Sequence, residues 1–261
     1  MKRLTLYAFC SSLMLALTCS GLLAAPADPD SKAQAVVNRA IEAMGGEVYL
    51  AVNRIHSRGR YFHFGRHGKA FSRFEDWTVL DPVKWRFQLG DGKRAYTQIF
   101  NLEVEKGWTL EREVEIEEAP SEELDGFRRM AKQDIDVILR HRRDEEGMNL
   151  YYYGPDEIAG QGEYEAVEFL DGTNDSVIIF FNLRTGLPEK VETSTTNKMG
   201  VRIKIETEYS NWHEIQGVRV PLNLETFADG VTTTQRFIEE ITFNENFPAD
   251  LFQRPVIVKK K

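Results

Sequence analysis

The feature that most constrains this chain is a two-residue alternation of apolar and polar side chains that recurs between short turn signals. From 201 to 210, Val201, Ile203, Ile205, Thr207 and Tyr209 fall on one side of an extended segment, and Arg202, Lys204, Glu206, Glu208 and Ser210 fall on the other. Successive side chains of a strand point to opposite faces, so such a segment has one dry side and one wet side, the pattern of an antiparallel sheet covered on one face. Val218, Val220, Leu222 and Leu224 continue the alternation against Arg219, Asn223 and Glu225, and the chain turns at Asp229-Gly230 to return through 232–243. Trp85, Phe87 and Leu89 alternate with Arg86 and Gln88 and end on Gly90-Asp91-Gly92, a hairpin signal before 93–100. With further turn signals at 65–68, 171–174, 184–186 and 197–200, the pattern predicts about eleven or twelve strands joined by short turns, a meander closing into a barrel or part of one.

Two segments break the alternation. From 30 to 46, Ala33, Val36, Val37, Ala40, Ile41 and Met44 recur at spacings of three and four, with Asp30 or Ser31 able to cap the start and Gly45-Gly46 to stop the helix. A second helix is expected from 121 to about 143, with Leu124, Phe127, Ala131, Ile135 and Ile138 on one face and a charged remainder. A helix inserted midway through an antiparallel sheet must lay its apolar face on something, and the concave side of the sheet is the available place, so this segment reads as a cover.

Lys2 and Arg3 precede an uncharged, Leu- and Ala-rich stretch from 4 to 23, and Ala25-Pro26-Ala27 offers small residues for cleavage after Ala27. That is the form of a secretory signal over 1–27, which leaves 28–261 as one domain exported to the periplasm; a retained anchor, or lipidation of Cys19, are the competing readings. Cys10 and Cys19 are the only cysteines and both lie in this leader, so the exported part has no disulfide, thiolate metal site or cysteine nucleophile. The net charge is -8, and loss of Lys2 and Arg3 makes it more negative. Phosphate backbones repel such a protein, which argues against a nucleic-acid partner; the 259–261 lysine run reads as a solvated end.

Local signs of chemistry are sparse. His63 and His67 flank a Gly-rich turn without a third ligand at a convincing spacing. In the clusters Glu115, Glu117, Glu118 and Glu239, Glu240, adjacent residues of a strand point to opposite faces, and the clusters read as solvated rather than as a catalytic pair. No Gly-x-Ser-x-Gly elbow or phosphate-binding loop occurs. The chain therefore reads as a non-enzyme without cofactor or metal. Its aromatic residues fall mostly in the strands, and 177–181 is apolar on both faces, as expected where one face packs and the other lines a dry cavity or meets a helix.

The helix ending in Ala43-Met44-Gly45-Gly46, the run of strands, the mid-chain cover helix, the hairpin from Tyr209-Ser210-Asn211-Trp212 to Gly217-Val218-Arg219-Val220-Pro221, and the ending Asn244, Phe247, Leu251, Phe252, Pro255 together resemble the LolA-type outer-membrane lipoprotein-sorting family. The resemblance implies a mainly β (α+β) fold: an open antiparallel half-barrel of about eleven strands with helices in its concavity, holding acyl chains without a cofactor. It also implies an arginine on an early strand that holds the lid, for which Arg58 and Arg60 lie in the comparable region. The expected function is a monomeric periplasmic carrier or binding protein for acyl chains of lipid or lipoprotein. Trp85, Phe87, Phe180, Ile203 and Ile205 are the candidate wall, and Leu124, Phe127, Ile135 and Ile138 the lid contacts. The alternative is an envelope signalling or interaction module that uses the same fold to contact an inner- or outer-membrane partner protein.

Overall fold

In the computed structural model, residues 29–65, 68–92, 95–112, 115–155, 163–196 and 199–256 are described. The leader with Cys10 and Cys19, His67, and the lysine tail lie outside them. Helix α1 (Pro29–Met44) and the single turn α2 (Glu47–Leu50) precede β1 (Arg54–Gly65), β2 (Gly68–Leu80), β3 (Val83–Leu89), β4 (Tyr96–Asn101), β5 (Lys106–Glu111) and β6 (Glu115–Glu118). Helix α3 (Ser121–Lys132), the short α4 (Ile135–Val137) and a π-turn (Ile138–Arg142) come next. The chain then continues through β7 (Asn149–Tyr153), β8 (Tyr164–Leu170), β9 (Ser176–Asn182), β10 (Pro188–Thr196), β11 (Arg202–Ile215), β12 (Val218–Ala228) and β13 (Val231–Phe243). These form one open antiparallel sheet in the order β6-β5-β4-β3-β2-β1-β13-β12-β11-β10-β9-β8-β7.

Among the described residues there are thirteen strands, slightly more than the sequence pattern suggests. One reason is β6, whose Glu-Ile-Glu-Glu sequence carries little of the apolar alternation by which strands are recognised; it pairs with β5 at the sheet edge, and Glu118 meets Lys106. Charge on an edge strand also discourages pairing with another chain.

The alternation in β11 places Tyr209 on the inner face of the sheet, opposite Leu224 of β12, which in turn faces Arg236 of β13. Ala33, Val36, Val37, Ala40, Ile41 and Met44 of α1 are all buried against this face, packed with Val167, Phe169, Val177, Ile179, Phe181 and Val191. At the other flank α3 lies over β3 to β5. Phe127 stacks on Phe100 at 4.4 Å and 8° between ring planes, and on Trp85 at 5.7 Å. Gly107, opposite Phe100, leaves room for that ring, because a Cβ there would approach it to 2.6 Å.

The second helix is not continuous to 143. It stops at Lys132, and Asp134 takes an extended conformation (ψ 131°) with its carboxylate accepting from the N–H groups of Asp136 (2.9 Å) and Val137 (3.2 Å). A short acidic side chain that caps a new first turn competes with the helix it interrupts. The break lets α3 seat on the aromatic flank while Ile138 and Leu139 enter the α1 core. Arg142 spans the joint, donating to Lys132 O at 2.7 Å and to Asp171 at 2.9 Å.

On the outer face, the segment after β13 folds back over β2, β4 and β5, packing Phe247, Leu251 and Phe252 against Trp77, Ile99 and Trp108. Asn244 clasps the start of β1, accepting from Asn53 N at 2.9 Å and donating to Ala51 O at 3.0 Å.

The exit from α1 depends on Gly45. Its φ is +126°, and a Cβ would come within 2.4 Å of Gly217 O in the β11–β12 turn, so helix and hairpin touch backbone to backbone. Gly45→Ala is therefore expected to lower stability by about 2–3 kcal/mol in urea titration, through strain and a backbone clash together. Gly92→Ala, at φ +57° with nothing within 4 Å of its would-be Cβ, should cost only about 1 kcal/mol.

Candidate functional site: a lidded cavity on the inner face

Between the covers supplied by α1 and α3 the inner face is not filled. A cavity of about 310 Å³ remains, walled by β1, β2, β3, β11, β12 and β13 and roofed by α3, the Asp134 joint and α4. Trp85, Ile55, Leu224, Ile238 and Ile241 contribute apolar wall, and Phe127, Met130, Ala131, Ile135 and Val137 form the roof. Asn211 takes a left-handed backbone conformation (φ +58°) while the β11–β12 register runs on unbroken, and Tyr209 and Trp212, three residues apart, both line the cavity.

Of the residues expected from the sequence, Trp85, Phe127 and Ile135 meet here. Phe87 stands behind Trp85 on the inner face, stacked at 5.3 Å. Leu124 packs with Phe100 and Phe127, and Ile138 lies in the α1 core. Ile203 and Ile205 share the face of Tyr209 but sit farther along β11, half-buried and outside the lining. Phe180 lies on the opposite face from Ile179 and Phe181, under the Lys190 ammonium at 3.9 Å. Arg58 and Arg60 also point outward, paired with Glu240 and Glu239 of β13. Neither touches the lid.

The charged residues of the cavity are the ones sequence reasoning missed. Arg140, with a side chain 1% exposed, pairs with Asp136 one helical turn earlier, lies 3.6 Å from the centre of the Tyr49 ring and donates to Tyr49 O at 2.8 Å. Tyr49 returns a hydrogen bond to Asp136 at 3.1 Å. This cluster ties the roof to α2. Across the cavity Arg236 donates to Asp76 at 2.8 Å, and Thr78 donates to the other oxygen of Asp76 at 3.1 Å. Both arginines sit in alternating strand or helix patterns where a charge reads as solvent-facing, so only the covering elements reveal them.

Burial raises the Tyr49 and Tyr209 hydroxyls well above their usual range, and nearby Asp134 and Asp136 add to the effect. Asp134 is raised to about 6, first by desolvation and then by the Asp136 charge. It lines the cavity and keeps accessible surface there. Among the described residues no three His, Cys, Asp or Glu side chains converge as metal ligands.

No family model matches the sequence, and no curated protein sequence matches it. Solved structures do. A DUF1329 family protein from Desulfovibrio piger superposes with a TM-score of 0.57 at 11% identity, covering 87% of this chain and 98% of that one. A LolA superfamily protein from Nitrosomonas europaea gives 0.52 at 11% identity, covering 85% of this chain and 97% of that one. The chain has the LolA-type fold. A putative outer membrane lipoprotein-sorting protein domain from Vibrio parahaemolyticus gives the same TM-score, 0.52, at 9% identity, with 85% and 97% covered. At such identities the likeness concerns the LolA-type fold, an open sheet with helices on its inner face, and leaves activity to the site.

Asp134 makes stability depend on pH. Its folded pKa of about 6 lies above the unfolded carboxylate value of about 3.9, so the folded state holds the proton more tightly. The contribution to stability is fully present below pH ~4 and is lost as pH rises through about 6. Asp134→Asn keeps a capping side chain and removes this loss. Urea titrations should show it stabilising the protein at pH 8 relative to pH 4, by on the order of 1 kcal/mol once solvent screening is allowed for.

Proposed function

We propose that this chain is an exported carrier or receptor, leader removed and 28–261 acting as one domain, that holds a single acyl chain of a lipid or lipoprotein non-covalently beneath α3 and α4. The observation that carries the reading is the cavity itself, a mostly apolar space of about 310 Å³ between sheet and roof. That size is at the lower end for ligand sites, roughly 300–1,000 Å³, which suits one chain rather than several. Each buried methylene contributes about 0.8 kcal/mol, so an acyl chain needs neither cofactor nor covalent step to be held. The LolA-type fold supports the same reading, as does the lipoprotein-sorting description of the Vibrio parahaemolyticus domain. Residence in the periplasm and a monomeric state belong to the proposal.

An interaction module is the second reading, favoured by the contrast between the two sheet edges. The β6 edge carries Glu115, Glu117 and Glu118, whereas β7 reads Asn-Leu-Tyr-Tyr-Tyr and has no charge. An edge without charge is where an extended partner segment can add.

The test is uptake of a dansyl-labelled fatty acid and its methyl ester by the delipidated mature chain. Binding of at least one, in a one-to-one complex, is expected. Ile135→Asp puts a charge in the roof of the cavity and should weaken uptake at least about tenfold, while Ile203→Thr, outside the lining, should leave it unchanged. Refusal of both probes by the wild-type chain would sink the carrier reading and leave the interaction module.

A further inference from the structure

The acyl-binding reading, on which the following rests, does not explain why the wall of the cavity carries charge. Arg236 projects from the inner face of β13 with its guanidinium 4.4 Å from the Phe74 ring centre and 5.5 Å from that of Phe87, which fixes its plane. One of its terminal nitrogens donates to Asp76, and its Nε is buried with no partner. A guanidinium has five N–H donors, so beyond the closed-off Nε the terminal nitrogens, on a side chain 25% exposed, keep spare donors at the cavity wall. Ser57, buried and directly opposite Asp76 in the β1–β2 register, adds a hydroxyl to the same spot. Hydrocarbon laid over this spot would leave donors without acceptors, which is costly in an enclosed place.

The charge around the spot selects among acceptors. Arg236 is balanced by Asp76, and Arg140 by Asp136. Asp134 and Arg219, the remaining charged residues of the lining, are both exposed to solvent, so the charges of the lining balance. An entering carboxylate would bring a negative charge to a lining whose own charges already balance, leaving it without a dedicated cation. A carbonyl oxygen takes up a spare N–H and adds no charge. We propose that Arg236, set beside Asp76 and Ser57, forms a subsite for a neutral carbonyl oxygen, so that the cavity selects acyl esters or amides over free fatty-acid anions.

The experiment is displacement of the dansyl-labelled methyl ester from the delipidated mature chain at neutral pH by dodecanoate, methyl dodecanoate and dodecane. Methyl dodecanoate is expected to displace the probe at a concentration roughly three- to tenfold lower than dodecane, the effect of one net hydrogen bond, with dodecanoate weaker than the ester. In Asp76→Asn/Arg236→Met, which removes both charges together, the advantage of the ester over the hydrocarbon should vanish while the affinity for dodecane is retained. The wild-type series decides without the variant should the variant not fold. Dodecanoate equal to or better than the ester, or ester and hydrocarbon equal, overturns the subsite and leaves acyl binding standing. Failure of all three to displace the probe overturns both.

Discussion

An open sheet cannot bury its inner face by closing on itself, and everything else in this molecule follows from how that face is covered. The thirteen strands among the described residues run from β6 to β7 without joining, so helices must supply the second layer. The chain supplies it from two directions. Helix α1 takes the flank of β7 to β10 with a full apolar stripe, and α3 takes the flank of β3 to β5 through the Phe127 stack on Phe100 and Trp85. The cavity is the stretch of inner face over β1, β2 and β11 to β13 where the two covers do not meet. It is thus a product of how the layers are assembled.

The polar groups in that gap cost stability unless they satisfy one another. Two arginine–aspartate pairs do so, Arg140 with Asp136 in the roof and Arg236 with Asp76 in the wall. Pairs of this kind rarely add net stability over an apolar core, and removing one partner is far more damaging than never having had the pair. Their placement on facing walls of one apolar cavity therefore argues for a role in what the cavity holds. The Arg140 pair also fastens the roof to α2 through Tyr49, whereas the Arg236 pair joins β13 to β2 and is left with unused donors.

Much of the frame was legible in the sequence because it rests on periodicity. All six apolar positions assigned to α1 are buried, and the alternation of β11 puts Tyr209 on the covered side as read. Two things were not legible. The break at Asp134 lies inside an unbroken helical pattern, since Ala131, Ile135 and Ile138 keep the right spacing whether or not the chain turns between them. The identity of the cavity residues depends on which stretch of inner face each helix covers, and alternation says nothing about that. Hence Ile203 and Ile205, on the inner face, stand outside the lining, while Trp212 enters it just beyond the left-handed backbone at Asn211, which alternation does not announce. Arg236 was hidden for a related reason: a charge in an alternating strand reads as solvent-facing until a roof is placed over it.

The same division of the cover bears on how a ligand could pass. Phe127 holds α3 to one end of the sheet, and Ile138 and Leu139 hold the π-turn in the α1 core at the other. Neither attachment involves the other, and the joint between them, at Gln133 and Asp134, lies directly in the roof. Parting the roof at the joint leaves both apolar anchorages intact. It breaks the Arg142 bond to Lys132 O, and Asp134 beside it is already exposed, so little at the joint has to be uncovered. The roof is therefore held shut at its centre by polar contacts and at its ends by apolar packing. Opening at the centre is the lower-cost route, because it exchanges hydrogen bonds within the protein for hydrogen bonds to water instead of exposing the aromatic stack or the α1 core.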